Sequence, residues 1–226
     1  MTMIGILTSE AGCGKSFQAM QWEEDIKILD LENRLEEKKN RFFKDKLIEI
    51  VPLMKYDKDY MVDEVGSFNG FVLEVHNILK SEPPRTLIID GIGELRDFAH
   101  SKWAQDKGRK KAANPGDWEA VNDLVRETLF PIINFARIKN FNVLFTSQLK
   151  DDYTVIEQDG KRVSSKCGRI PAHKEWIGYN VDLLVDLSIN KKMGTYQAEI
   201  IKSPVGIFTE DITGKSLFEV LSSRGL

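Results

Sequence analysis

The stretch GILTSEAGCGKSFQAM, residues 5–20, decides how the rest of the chain is interpreted. It begins within a short apolar run, residues 3–7, that is typical of a buried β-strand. Small residues lead from that run to Gly-Lys-Ser at positions 14–16, and Phe17 and Met20 then have the apolar spacing of a helix. A strand, a glycine-rich turn and a helix in this order predict a loop whose backbone N–H groups surround an anion.

The P-loop pattern requires Gly, four residues of any type, and then Gly-Lys-Ser or Gly-Lys-Thr. Ser9 occupies the first position here, and a small residue such as Ser can form the tight turn at modest strain. The alternative is an ordinary glycine-rich turn, which would not need a lysine and a hydroxyl directly after its second glycine. We therefore predict a nucleotide-binding loop made of Ser9, Glu10, Ala11, Gly12, Cys13, Gly14, Lys15, Ser16 and Phe17.

The overall composition is that of an ordinary globular protein. A length of 226 residues suits one α/β domain, residues 1–226, because domains usually have ~100 to 200 residues. The net charge of -3 does not indicate a nucleic-acid partner, so any such surface must be local. Cys13 and Cys167 have neither disulfide-framework nor zinc spacing, and no apolar run approaches the ~18 residues of a membrane span. We expect a cytoplasmic protein with no membrane partner.

Apolar runs alternate with helical patterns after the P-loop. Strands are predicted at residues 26–34, 46–53, 85–90 and 142–148, and helices at 71–80 and 117–139. With the first strand this gives a doubly wound, mainly parallel sheet whose ligands bind at the carboxyl ends of the strands. The mixed charges of residues 33–46 favour a solvated helix or loop.

The last third of the chain has a different pattern. Residues 153–163 carry Asp159-Gly160 between alternating residues, and residues 181–201 carry a turn at 191–194 between two strand-like runs. Both segments predict C-terminal antiparallel β-hairpins.

Polar residues at the predicted strand ends suggest phosphoryl chemistry. Lys15 is expected to bind the β and γ phosphates, and the Ser16 hydroxyl and the Asp90 carboxylate to hold Mg²⁺, which prefers oxygen ligands. Hydrolysis also needs a carboxylate that accepts a proton from the attacking water. Glu32 and Glu94 are both candidates, and Glu32 is favoured because it ends the strand expected to neighbour the P-loop strand, whereas Glu94 could equally cap a helix that starts near it.

Several segments together resemble the RecA family of ATPases, and in particular the compact phage RecA-like ATPases of the Sak recombination type, which belong with AAA-type phage nucleotide-binding proteins. The similar segments are ILDLENRL, LIIDGIGEL, NVLFTSQ and SINKKMGTYQAEIIKSPVGIF. The likeness covers nearly the whole chain, although only the P-loop is specific by itself. It implies a RecA-like fold, ATP and Mg²⁺ as ligands, water activation by Glu32 and γ-phosphate sensing by Gln148. Ser9 and Gly91 depart from the family pattern.

The resemblance also implies partners. RecA-like ATPases form rings or filaments in which a neighbouring subunit supplies a basic residue, a role that would fall on Lys191 and Lys192, although these also suit a solvated turn. Single-stranded DNA is expected at the loops after Asp90 and after Gln148. Residues 100–117 have five basic against two acidic residues and one embedded indole, a composition that suits phosphate pairing and base stacking. The predicted DNA contacts are Lys102, Trp103, Lys107, Arg109, Lys110, Lys111, Lys161 and Arg162.

The resulting hypothesis is an oligomeric, Mg²⁺-dependent ATPase that acts with single-stranded DNA, and with single-strand-binding or recombination proteins, in phage-type recombination or annealing. If the chain is phage-encoded, it would act in the host cytoplasm. A packaging motor, a helicase loader and a nucleotide-binding regulator with little turnover stay open as alternatives. A small-molecule kinase would need an acceptor pocket and a lid, and neither can be identified from the sequence.

Overall fold

The computed structural model describes the backbone of residues 2–109, 112, 114–158, 161–171 and 180–225, and the side chains of these residues outside 150–171. The strands are β1 (Ile4–Ser9), β2 (Ile26–Asp30), β3 (Ile48–Pro52), β4 (Thr86–Asp90), β5 (Asn142–Gln158), β6 (Lys161–Pro171), β7 (Leu183–Asn190), β8 (Thr195–Lys202) and β9 (Phe208–Asp211). The helices are α1 (Lys15–Met20), α2 (Glu36–Phe42), α3 (Glu64–Lys80), α4 (Ile92–Asp106), α5 (Pro115–Lys139) and α6 (Leu217–Ser223).

The strands form one sheet in the order β3-β2-β4-β5-β1-β7-β8-β9, and β6 pairs with β5 beside this path. Strands β3, β2, β4, β5, β1 and β7 are parallel, whereas β7, β8 and β9 pair antiparallel. The fold is therefore an α/β fold with a mainly parallel sheet and C-terminal antiparallel strands, as predicted. The expectation that β2 lies beside β1 is wrong, because β4 and β5 lie between them. The carboxyl ends of these four parallel strands nevertheless share one edge of the sheet, where their polar residues lie.

The central strands are buried on both faces, which explains their unbroken apolar runs. In β4, Leu87 and Ile89 pack with α3, α4 and α5 on one face, while Ile88 packs on the other face. That second face is covered by α1 and α6, with Trp22 among its fully buried side chains. The two cores hold the sheet rigidly beneath its polar edge.

Two helices differ from the prediction. Helix α3 begins at Glu64, seven residues before the predicted start at residue 71. Asp63 caps its first turn by accepting a hydrogen bond from Gly66 N at 2.8 Å. This turn has few apolar residues, so the apolar spacing did not indicate it. Helix α4 was expected to start near Glu94 but was given no bounds, and the expectation of a loop from residue 100 onward is wrong as far as Asp106. Its buried residues Ile92, Leu95, Ala99 and Trp103 do have helical spacing.

Both predicted hairpins are present. Strand β5 runs past the expected end at Gln148 and pairs with β6 from Leu149 to Gln158, and the predicted turn at 159–160 lies outside the described residues. In the second hairpin, Gly194 N donates to Asn190 O at 2.8 Å across the turn between β7 and β8. In the described part of the chain, no helix is both long and apolar enough to cross a membrane.

Candidate nucleotide site

The loop between β1 and α1 has the backbone shape of a phosphate-binding turn. Gly12 and Gly14 have φ angles of 83° and 88°, which other residues adopt only with strain. A Cβ at either position would meet nothing within 4 Å, so the glycines are required by backbone conformation and not by space. Gly14 then caps helix α1, which begins at Lys15.

The ammonium group of Lys15 is folded back onto this loop. Lys15 Nζ lies 2.9 Å from Ser9 Oγ and 3.3 Å from Glu10 O. Burial lowers the pKa of Lys15, while the nearby Asp90 carboxylate acts in the opposite direction. Ser9 thus does more than replace the usual glycine, because its hydroxyl supplies a contact that holds the lysine inside the loop.

A second group of polar atoms connects α1, β4 and β5. Ser16 Oγ and Thr146 Oγ1 both donate to Asp90 Oδ1, each at 2.7 Å, and Thr146 Oγ1 accepts from Gly91 N at 2.9 Å. Asp90 is only 3% exposed. Burial raises the pKa of Asp90, and the hydrogen bonds from the two hydroxyl groups oppose that shift. The Asp90 carboxylate and the Ser16 hydroxyl lie together beside the P-loop. Oxygen atoms of this kind are the ligands that hard cations such as Mg²⁺ prefer.

Glu32 is presented by a loop that Asp30 organises. Asp30 is 1% exposed, and its carboxylate accepts hydrogen bonds from the backbone N–H groups of Glu32 at 3.0 Å, Arg34 at 2.8 Å and Leu35 at 2.9 Å. Because the buried Asp30 carboxylate accepts all three hydrogen bonds, it fixes the direction of the backbone after β2. As a result, Glu32 and Arg34 follow β2 on the same side as the P-loop.

Glu32 and Glu94 both line the same cavity, so each stays a candidate for water activation. Glu32 packs against Gly91, directly after Asp90, and its carboxylate pairs with Arg34 at 3.3 Å. Glu94 lies in the first turn of α4, where burial raises its pKa and the charge of Glu32 adds to the shift. The position of Glu32 beside the end of β4 favours it for the role, which stays a prediction.

The cavity has a volume of about 610 Å³, within the ~300 to 1,000 Å³ of small-molecule sites. It brings together residues from the ends of four different elements, namely Lys15, Ser16, Glu32, Asp90 and Gln148. The loop residues Ala11, Gly12, Gly14 and Phe17 also line it. These residues were all assigned from the sequence, and their roles in binding and catalysis stay predictions.

Other residues at the cavity were not assigned from the sequence. Thr146 was noted only as a polar strand end, and Arg34 and Lys38 fell in the segment expected to be solvated. Phe42 and Arg96 are also lining residues. Of these residues, only Arg34 could have been assigned to the cavity from the sequence, because it lies two residues after Glu32, which was already placed there.

The predicted DNA contacts are only partly accessible. Trp103 is 5% exposed inside α4, so the prediction of an indole free to stack on a base is wrong. Lys102 pairs with Asp106 within α4, and Arg109 pairs with Asp117 at 3.0 Å. Lys107 follows α4 and is exposed.

The other predicted contacts are less defined. Lys110 and Lys111 lie outside the described residues, as do the side chains of Lys161 and Arg162, whose backbone belongs to β6. Lys191 and Lys192 are exposed in the turn between β7 and β8 and do not line the cavity. Their proposed contact with a neighbouring subunit stays a prediction.

Among solved structures, the RadB recombinase aligns with a TM-score of 0.54 at 12% identity, covering 95% of this chain and 89% of that chain. A KaiC-like protein from the hyperthermophilic archaeon Pyrococcus horikoshii OT3 aligns with a TM-score of 0.48 at 14% identity, covering 92% and 84%. No curated protein sequence matches the chain. The likeness to RadB shows that the fold is RecA-like, whereas the narrower resemblance to Sak-type ATPases stays a prediction.

The family model described as an AAA domain, AAA_24, matches residues 2–211, which is nearly the entire chain. That range contains the P-loop, the buried Asp90 and the strands that bring them together. The chain therefore belongs to the AAA_24 family of AAA domains, and it is a P-loop NTPase domain with a RecA-like fold.

Proposed function

We propose that this protein is a Mg²⁺-dependent ATPase that acts with single-stranded DNA. The observation that carries the ATPase proposal is the convergence of Lys15, the pair Ser16 and Asp90, and Glu32 on one cavity. Phosphoryl transfer needs positioned charge more than covalent chemistry, and these groups provide a cation, a metal-ligand pair and a carboxylate base.

The oxygen atoms of Ser16 and Asp90 fit Mg²⁺. They lie 2.7 Å apart, and an ion held by one carboxylate, one hydroxyl and substrate phosphates is the usual arrangement for this metal. When bound, Mg²⁺ would neutralise phosphate charge next to Asp90.

The remaining roles belong to groups of the chain itself. Lys15 would exchange its contacts with Ser9 and Glu10 for the β and γ phosphates. Glu32 would orient a water molecule and accept its proton, since it lies beside the end of β4 and is partly shielded from solvent. Gln148, at the point where β5 leaves the parallel sheet, would contact the γ phosphate.

The DNA part of the proposal rests on the fold and on the resemblance to recombination ATPases. A protein with the same fold is a RadB recombinase, and β5 continues beyond Gln148 into a hairpin that contains Lys161 and Arg162. We place the main single-strand contact on this hairpin and on Lys107, since Trp103 is buried. Assembly of several copies would bring Lys191 and Lys192 to a neighbouring site.

The test is ATP turnover with Mg²⁺, measured alone, with single-stranded DNA and with duplex DNA. The parent chain is compared with Lys15→Ala and Glu32→Gln, and Lys80→Ala at an exposed position of α3 serves as a matched control. Stimulation by single strands that is lost in the first two variants and kept in the control supports the proposal.

Other outcomes separate the alternatives. Binding of ATP without turnover under any condition would favour a nucleotide-dependent regulator and overturn the enzymatic proposal. Stimulation by duplex DNA alone would favour a packaging motor.

A further inference from the structure

One wall of the cavity is formed by residues 34–42, which we call the phosphate lid. It contains helix α2 and is attached to α1 through aromatic contacts. The rings of Phe17 and Phe42 meet edge to face with centroids 5.7 Å apart, and Phe43, just after the lid, lies 5.1 Å from Phe17. Because Phe17 directly follows Ser16, the lid is packed on the same turn that begins the P-loop helix.

The other end of the lid is attached to β2. Asp30 accepts a hydrogen bond from Arg34 N at 2.8 Å and from Leu35 N at 2.9 Å, and Leu35 is buried. The lid is therefore held at both ends although helix α2 itself has no buried residue. Arg34 and Lys38, which line the cavity, are thus carried by a backbone segment that is anchored at both ends.

Two of those side chains are cationic. Arg34 lines the cavity, its side chain is 72% exposed, and its guanidinium group pairs with Glu32 at 3.3 Å. Lys38 also lines the cavity, is exposed, and has no ion pair among the residues that the structure describes. Its charge reaches Lys15, because it adds to the effect of burial in lowering the pKa of that lysine.

The cavity needs these cations when a triphosphate enters. Four carboxylates already line it, from Glu32, Asp90, Glu94 and Asp97, and a nucleoside triphosphate brings further negative charge. The remaining lining arginine, Arg96, is engaged by Asn122 at 3.2 Å and by the Trp118 ring at 4.7 Å. Arg34 and Lys38 are less constrained by other partners.

We propose that Arg34 and Lys38 bind the terminal phosphate of a nucleoside triphosphate held by the P-loop of the same chain, so that the phosphate lid distinguishes triphosphate from diphosphate. This inference rests on the proposed function of the site. Arg34 suits the role because its planar group can bind two phosphate oxygens at once. Its transfer from Glu32 to the phosphate also frees the Glu32 carboxylate for water, which links recognition of the triphosphate to hydrolysis.

The test compares the dissociation constants of a non-hydrolysable ATP analogue and of ADP, both with Mg²⁺. The variants are Arg34→Gln, Lys38→Gln and Arg34→Lys, and Lys44→Gln is the matched control because Lys44 is exposed just beyond the lid and does not line the cavity. We expect the two Gln variants at 34 and 38 each to weaken binding of the analogue about tenfold while ADP binding changes less than about twofold. Arg34→Lys should weaken binding of the analogue less than Arg34→Gln does.

The outcomes separate this inference from the proposed function. An equal loss of both ligands, or no loss of either, in stably folded variants would overturn the role of the lid and leave the P-loop site intact. If the parent chain bound neither nucleotide, the proposed function itself would be wrong. Mixing Arg34→Gln with Lys15→Ala subunits tests the assignment to the same chain, because recovered turnover would show that Arg34 acts on a neighbouring site.

Discussion

The side chain of Glu32 packs directly against Gly91. A Cβ built on Gly91 would lie 2.9 Å from Glu32 Cγ, and Gly91 has a φ of 81°. The substitution Gly91→Ala should therefore displace Glu32 as well as strain the backbone by about 1 to 2 kcal/mol. We expect ATP turnover to fall at least about tenfold, because a small misplacement of a catalytic group is costly, with little change in the dissociation constant of ATP.

The control for this prediction is Gly108→Ala. Gly108 also has a positive φ, 60°, but a Cβ there would meet nothing within 4 Å. Its substitution should lower thermal stability by a similar amount and leave turnover unchanged. If both variants lost turnover equally, backbone strain alone would account for the loss. The contact between Glu32 and Gly91 would then not be needed for catalysis.

Thr146 connects the ends of two strands, and its hydroxyl should be needed for that reason. In Thr146→Val, Gly91 N loses its acceptor and Asp90 loses one of its two hydroxyl donors. An unsatisfied buried N–H group costs about 1 to 3 kcal/mol, so the melting temperature should fall and Mg²⁺-dependent turnover should decrease. Thr146→Ser keeps the hydroxyl and should retain most of both properties. A Val variant as stable and active as the parent would contradict this role.

The buried carboxylate of Asp90 should lower the stability of the protein at neutral pH. Burial raises its pKa above the ordinary 3.8, so the folded state binds this proton more tightly than the unfolded state. Its contribution to stability is thus greatest below pH 3.8 and is lost as the pH rises through the raised pKa. We expect Asp90→Asn, measured without nucleotide or Mg²⁺, to be more stable than the parent at neutral pH, and to have lost ATP turnover.

This stability difference should shrink as the pH is lowered, since the parent carboxyl then becomes neutral like the amide. Denaturant unfolding of both proteins at several pH values measures it. A variant that is less stable than the parent at neutral pH, or a difference independent of pH, would show that the two hydroxyl donors outweigh the cost of burial.

Trp103 should contribute to folding and not to DNA binding. Its ring is buried in α4, with the Arg109 guanidinium 5.8 Å from the ring centroid. Trp103→Ala should cost about 3 to 5 kcal/mol of unfolding free energy, whereas Trp103→Phe should fold with a smaller loss. In fluorescence anisotropy with a labelled oligonucleotide, Trp103→Phe should bind single strands like the parent. A specific loss of affinity in a stably folded variant would restore the stacking hypothesis.

Most of the sheet could be predicted because the central strands β1, β4 and β5 begin as apolar runs that end in polar residues, although β2 ends at Asp30 instead of residue 34 and β9 was not predicted. Lys15 and Ser16 followed from the P-loop pattern, and Asp90 and Gln148 from the ends of apolar runs, since carboxyl ends of parallel strands meet at one edge. The extent of helix α4 was missed although Ile92, Leu95, Ala99 and Trp103 have helical spacing, because the basic residues after position 101 were interpreted as a loop.

Contacts between distant segments were also beyond prediction from the sequence. The pairing of Thr146 with Asp90 depends on the register of β4 against β5, which pairs Ile89 with Phe145. Arg34 and Lys38 lie at the cavity because Phe42 packs on Phe17. The segment that contains them has the mixed charges of an ordinary protein surface, so its sequence gives no sign of this contact. Burial of Trp103 likewise depends on how α4 sits against α3 and α5.

Strand β5 belongs to two structures at once. Its first part, beside β1 and β4, carries Thr146 at the phosphate edge, and its second part, from Leu149 to Gln158, forms a ribbon with β6. Ten residues of strand span about 33 Å, so a ribbon of this length extends far beyond the edge of the parallel sheet from its base at Gln148. A change of about 10° in strand direction at Gln148, a residue that lines the cavity, would displace the far end of such a ribbon by about 6 Å.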